Sequence, residues 1–250
     1  MPTPISLLLL LLLLAGLSLL WLELRHRLRP ASPLQLRSGP FQVRRRAMGI
    51  ELTGTVTIRN PHPRMEVFVS EFRVHPVLLG RSDLTSVRSE VRITPRHPDE
   101  QARPDHYWFA YILKGGKSTV AEIQIQLQGP AGSDLESILD TVWLDLDWIH
   151  YGPFGRLERR DAVLVPLRRP AAASPESSQW RQGERCSVLP IRTHLLGLLD
   201  DPLEVLRHYA GSLVQPGDIL TIGETPLAVM QGRYQHPITI TPSPMARLLC

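Results

Sequence analysis

Cysteine is nearly missing from this chain. The two present in 250 residues, Cys186 and Cys250, lie too far apart in sequence and in too plain a context for a disulfide framework or a C-x-x-C zinc site. That scarcity agrees with a reducing, cytoplasmic setting. Lysine is scarce too: of 28 basic residues only Lys114 and Lys117 are lysines. The arginine-rich balance gives a net charge of +4 and reads as genome composition rather than as a nucleic-acid-binding surface. No H-E-x-x-H or similar ligand spacing occurs, so His62, His75, His97, His106 and His150 are expected to be surface or hydrogen-bonded histidines. No basic residue precedes the first apolar run and no clear A-x-A site follows it, which argues against a cleaved signal peptide.

What is present begins with that run. It starts at Ile5, ends at Leu22, contains no charge, and includes unbroken leucine from Leu7 to Leu14. As a helix rising ~1.5 Å per residue it spans roughly 27 Å, close to the ~30 Å hydrocarbon core of a bilayer. Residues 1–24 are therefore expected to be a retained single-pass anchor with the lipid bilayer as partner. Residues 25–40 form a basic juxtamembrane segment. Arg25, Arg27, Arg29, Arg37, Arg44, Arg45 and Arg46 all follow the run and none precedes it, so the positive-inside rule puts the bulk of the chain in the cytoplasm. Contact with anionic head groups is the other reading of that cluster, although topology alone explains it.

Between residues 41 and 167 the apolar period is two. Ile50, Leu52, Val56 and Ile58 alternate with polar residues up to the turn Asn60-Pro61-His62-Pro63. Met65, Val67 and Val69 fall on one phase and Phe72 and Val74 on the other, which calls for a bulge near Ser70. Strands are also expected at 86–94, 107–113, 118–127, 141–150 and 162–167, with a hairpin at Lys114-Gly115-Gly116-Lys117 and a turn at Gly129-Pro130-Ala131-Gly132. The expected fold is mainly β: an antiparallel sandwich of immunoglobulin-like architecture, without the Cys-Trp-Cys spacing of an antibody domain. Asp140, Asp145 and Asp147 could be cast as a metal site, but Asp145 and Asp147 alternate with Leu144, Leu146 and Trp148 and read as a solvated strand face. Tyr107, Trp108, Phe109 and Tyr111 read as core rather than as a stacking platform.

Residues 168–182 lack any apolar period and read as a linker. Beyond it, in residues 183–250, the order becomes a small partial α/β segment. A short strand is expected at 188–191, a helix capped at Asp200-Asp201-Pro202 with Leu203, Leu206, Ala210 and Leu213 in phase, and a short buried strand at 219–222. In the tail 242–250, Met245, Leu248 and Leu249 share a helix face with no cap, which fits either a terminal helix or the middle of a longer element.

Leu189-Pro190-Ile191, Asp200-Asp201, Gly217-Asp218-Ile219-Leu220 and Gly232-Arg233, in that order and spacing, make this segment resemble the start of the γ-glutamyl ligases that append glutamate to the deazaflavin coenzyme F-420. The resemblance implies GTP and a divalent metal as cofactors, with Gly232 and Arg233 near phosphate and Glu224 near metal or substrate. It assigns no catalytic residue and no metal ligand in this chain. The family's Ser-Lys pairs are replaced by Gly223-Glu224 and Val229-Met230, so two expected cations are missing. Two functions follow as expectations: a membrane-anchored relative of these ligases, inactive or partial by itself, or a non-catalytic tethered scaffold whose sandwich engages a protein partner.

Overall fold

The computed structural model describes residues 4–28, 32–46, 49–130, 134–152, 155–174, 179–234, 240 and 244–249. Helix α1 (Pro4–Arg27) is apolar on every face up to its last two turns, and none of its residues is buried. Its 24 residues rise about 36 Å, enough to cross a bilayer. It continues past the expected boundary at residue 24. Its last turn carries Arg25 stacked over the Trp21 ring at 5.2 Å and Arg27 paired with Glu23 at 2.7 Å.

The strands then come in order: β1 (Gln35–Ser38), β2 (Gln42–Arg46), β3 (Gly49–Arg59), β4 (Val67–Gly80), β5 (Arg88–Arg96), β6 (Tyr111–Leu113), β7 (Ser118–Gln128), β8 (Leu139–Gly152) and β9 (Gly155–Pro166). The short helix α2 (Leu135–Ile138) leads into β8 and is capped by Asp134, whose side chain accepts from the Glu136 amide. One sheet runs β1-β3-β7-β5 with β2 also on β3, the other β6-β4-β8-β9, and every pairing is antiparallel.

Alternation explains the layers. Ile50, Leu52, Val56 and Ile58 on β3 meet Ala121, Ile123, Ile125 and Leu127 on β7, and across the interior they face Val142, Leu144, Leu146 and Trp148 on β8. Each buried valine, leucine or isoleucine among them contributes about 1.5–3 kcal/mol. The expected bulge is present: register shifts between Val69 and Glu71, which brings Phe72 and Val74 back to the inner face. Asn60 joins the sheets from inside, fully buried, its Nδ2 donating to the carbonyls of Met65 (2.7 Å) and Leu113 (3.0 Å).

Two local expectations change. Lys114–Lys117 is not a hairpin, because β6 and β7 belong to different sheets. The Gly116 amide donates to the carbonyls of Asn60 and His62, at 3.0 Å each, and the turn carries the chain from one layer to the other. The strand expected at 107–113 shortens to Tyr111–Leu113, as Trp108 leaves the strand line to pack its ring 5.4 Å from that of Phe72. The turn expected at 129–132 lies partly outside the described residues.

Beyond the sandwich, β10 (Arg181–Gln182) and β11 (Ser187–Val188) form a small antiparallel ladder, followed by α3 (Pro202–Ala210), α4 (Glu224–Met230) and α5 (Pro244–Leu249). Residues 219–222 form no strand and Ile219 is 89% exposed. A buried strand needs a neighbouring strand to receive its amides, and among the described residues none lies beside it. The buried face of α3 keeps the expected Ala210 but is turned toward Val205 and Tyr209, while Leu203, expected inside, is 60% exposed.

Candidate functional site

The C-terminal segment is organised around a buried polar network. His194 Nε2 lies 2.9 Å from Asp200 Oδ1, and His194 Nδ1 lies 2.7 Å from the Tyr209 hydroxyl. Asp200 Oδ2 accepts from the Gly197 amide at 2.8 Å. Both ring nitrogens of His194 are thus engaged, one by the carboxylate and one by the tyrosine hydroxyl. Burial would raise the Asp200 carboxyl, but the hydrogen bonds from His194 and Gly197, together with electrostatic attraction to His194 and Arg169, hold it below the usual carboxylate range. Beside this network sits a small apolar cluster of Val205, Tyr209 and Met230. The helix cap itself is Asp201, which accepts from the amides of Leu203 and Glu204.

This network fixes the loop 195–199 against the sandwich. A Cβ on Gly197 would lie 2.8 Å from Leu164 Cβ, so only glycine permits the approach, and Leu199 packs on the sandwich core. Between loop and sandwich lies a cavity of about 740 Å³, within the roughly 300–1,000 Å³ range of small-molecule sites. The sandwich side supplies residues 35–38 of β1, Trp143 of β8 and residues 160–164 of β9; the segment supplies residues 195–198, Val229, Gln231, Gly232 and Tyr234.

Most charge in that wall is already committed. Arg160 donates to Asp147 at 2.5 Å, Asp161 accepts from Trp148 Nε1 at 2.8 Å, and Trp143 Nε1 donates to Asp145 at 2.8 Å. Arg37 is exposed and carries no ion pair among the described residues. The cavity can therefore grip a ligand by shape, by aromatic and aliphatic contact, and by one guanidinium.

The three residues singled out by the family resemblance do not converge. Gly232 is in the cavity wall with φ +69°, and a Cβ there would meet Leu198 at 3.0 Å. Glu224 opens α4, exposed to solvent, while Arg233 follows the other end of that helix, its amide bound to the Ala228 carbonyl at 2.9 Å. The two residues thus flank opposite ends of α4. Among the described residues no three His, Cys, Asp or Glu side chains gather as a metal site. This donor set does not fit a metal-bound triphosphate, and no phosphoryl-transfer step is derived from it. Of the positions where the family has Ser-Lys pairs, Met230 is buried in the small apolar cluster and Val229 faces the cavity.

In the sandwich, Asp145 and Asp147 are half-buried partners of Trp143 and Arg160 rather than freely solvated groups. His150 is neither at the surface nor hydrogen-bonded: it is fully buried, stacked on Trp148 at 4.7 Å, with both ring nitrogens unpartnered. Burial, with a smaller contribution from Arg159, lowers its pKa to about 4. Its phase with Leu144, Leu146 and Trp148 marks it as inward, a signal that alternation already carried. The aromatic stretch divides, with Trp108 and Tyr111 in the core and Tyr107 60% exposed. The roles of His194 and Tyr209 could not be found by spacing, since only the tertiary fold brings them to Asp200.

No curated relative matches the sequence. Among solved structures, the chain is similar to the GAE domain of GGA2p from Saccharomyces cerevisiae, at 10% identity over 56% of this chain and 96% of that one, with a TM-score of 0.30. A yeast GGA1 GAE domain shows the same identity and coverage with a TM-score of 0.29. At those scores the likeness carries no argument about fold or function. The family described as "F420-0:gamma-glutamyl ligase, N-terminal Ig-like domain" matches residues 35–169, which are the sandwich rather than the segment that carried the resemblance in sequence. Since that match spans more than half of the chain, the protein belongs to this ligase family, through its immunoglobulin-like domain.

Proposed function

We propose that this protein is a single-pass, membrane-anchored member of the γ-glutamyl ligase family whose sandwich mounts the ligase-like segment at the cytoplasmic face of the bilayer. The observation that supports it is the close seating of Gly197 on Leu164, which presses the segment onto the β1 and β9 edge of the sandwich and encloses the cavity. On this reading α1 is the anchor, the arginines after it set orientation, and the cavity holds a small ligand between mount and segment. Gly197→Val tests the seating: in the full chain it should open the linker and segment to protease while the sandwich melts unchanged. Equal protection in the variant would sink the mount. Protease protection in sealed vesicles tests orientation, and digestion of the sandwich from outside intact cells would refute it.

A second reading, a tethered scaffold without ligation chemistry, draws support from Met230 and Val229 standing where the family has Ser-Lys, with Met230 committed to apolar packing. Titration of GTP with manganese into the full chain separates the two. Binding weakened by Arg233→Ala or Glu224→Ala favours a nucleotide role for the segment; absence of binding favours the scaffold.

A further inference from the structure

We propose that a second, smaller recess, where the sandwich meets the C-terminal segment, binds the phosphate group of a ligand. Its volume is about 260 Å³. Three arginines line it, from three separate stretches of chain: Arg81 just past β4, Arg168 just past β9, and Arg192 in the stretch between β11 and α3. The recess holds one carboxylate, Asp140, which pairs with Arg81 at 3.3 Å. Arg168 and Arg192 carry no ion pair among the described residues. His194 also borders the recess, but both its ring nitrogens are engaged by Asp200 and Tyr209, so it is not a free donor.

The charge balance favours an anion. Three cations against one carboxylate leave two positive charges uncompensated, and a phosphate monoester carries about −1.5 to −2 near neutral pH. Like charges gathered without a counter-ion repel, and an anion among them removes that repulsion. Arginine suits the task because its planar fork pairs with two phosphate oxygens at once. Position supports the same conclusion: the backbone amides of Leu167 and Arg168 both donate to the Asp140 carbonyl, at 3.0 and 3.1 Å, which fixes where the Arg168 side chain starts. Because Arg81 and Arg168 flank the sandwich while Arg192 belongs to the segment, an anion bound to all three would also tie the two together.

A phosphate group could reach the recess on a soluble small molecule or on an anionic lipid head group, and the chemistry is the same for both. The probe is inorganic phosphate, titrated into the full chain in detergent micelles and followed by calorimetry and by the shift in melting temperature. Binding at millimolar phosphate is expected, with loss of about tenfold in affinity for each of Arg168→Gln and Arg192→Gln. Both residues are exposed, so their variants should keep the wild-type melting curve without phosphate. Asp140→Asn is the complementary variant: it frees Arg81 and should raise phosphate affinity, a gain that misfolding cannot imitate. No phosphate binding by the wild type, unchanged affinity in both arginine variants, or weaker binding in Asp140→Asn would each overturn the proposal. Nanodiscs containing phosphatidic acid distinguish the source: loss of the phosphate response there identifies a lipid head group, and its persistence identifies a soluble ligand. None of these residues takes part in the seating at Gly197 and Leu164, so failure here and failure of the mounting reading are separate results.

Discussion

The sandwich and the C-terminal segment are held together by opposite means. Among the described residues the sandwich gathers 22 buried apolar residues in one continuous cluster, whereas the segment's cluster holds three, one of which, Tyr209, also joins His194 and Asp200 in a hydrogen-bonded chain. A core as small as the segment's supplies little net stability of its own, so its shape depends on polar contacts and on its seat against β9. Apolar burial is non-directional and tolerates local error; a network of three side chains fails when one is removed. The contrast implies that damage in the sandwich should unfold the whole, while damage in the segment should stay local.

The largest expected effect lies in the sandwich. Leu144 is fully buried on β8, between Pro76 of β4 and Val163 of β9. Leu144→Ala should cost about 3–4 kcal/mol and lower the melting temperature by roughly 10 °C or more. Val205→Ala, in the small cluster, should leave the main melting transition in place. A main transition lowered as far by Val205→Ala would show that the two regions share one cooperative core.

Asp200→Ala should come next. It removes the partner of a buried histidine and the acceptor of the Gly197 amide, and breaking a buried pair of this kind costs about 3 kcal/mol. The cost should be local: faster hydrogen exchange in the segment, at Gly197 and along α3, with the sandwich amides unchanged. Uniformly faster exchange would break the comparison.

Acid should reverse the order of vulnerability. His150 has a folded-state pKa of about 4 against an ordinary 6.5, so the unfolded chain takes the proton first. Stability therefore falls as pH drops through 6.5 toward 4, by about 2 kcal/mol between about pH 7 and pH 5. His97, also lowered chiefly by burial, acts in the same direction. Asp200 behaves differently: its folded pKa lies below the ordinary 3.8, so its stabilisation is intact above that value and is lost only as pH falls through the depressed one. The larger, better-packed region should thus weaken at milder acid than the smaller. Denaturant midpoints at the two pH values measure this, and His150→Phe should flatten the slope between them; an unchanged slope would show that His150 is not its source.

The same contrast explains what could be read in advance. Alternation over 8–11 residues was long enough to locate β3, β7 and β8, to require the bulge at Ser70 and to bring 142, 144, 146 and 148 inside. It failed where tertiary context outweighs period: at Trp108, which leaves its strand to fill the core, and at Lys114–Lys117, whose turn spans two sheets. In the segment the apolar runs are four to nine residues long, too short to choose between faces. Leu203 and Ile219 read as core and are exposed, while Tyr209 is nearly fully buried. The large cavity could not be foreseen, because β1, β9 and the loop 195–198 are far apart in the chain.

The smallest expected effect tests the part of the segment that was legible. The pattern Asp200-Asp201-Pro202 signals a helix cap without saying which aspartate supplies it; the structure gives the role to Asp201, whose carboxylate accepts from the amides of Leu203 (2.9 Å) and Glu204 (3.0 Å). Those two amides otherwise have no partner within the first turn. Asp201→Ala should cost about 1 kcal/mol, less than Asp200→Ala although the two are adjacent, since water can replace an exposed cap but not a buried partner of His194. Asp201→Asn should recover most of the loss, because an amide oxygen caps as well as a carboxylate. If Asp201→Ala loosens the segment as much as Asp200→Ala does, α3 itself and not the His194 network is what keeps the segment seated.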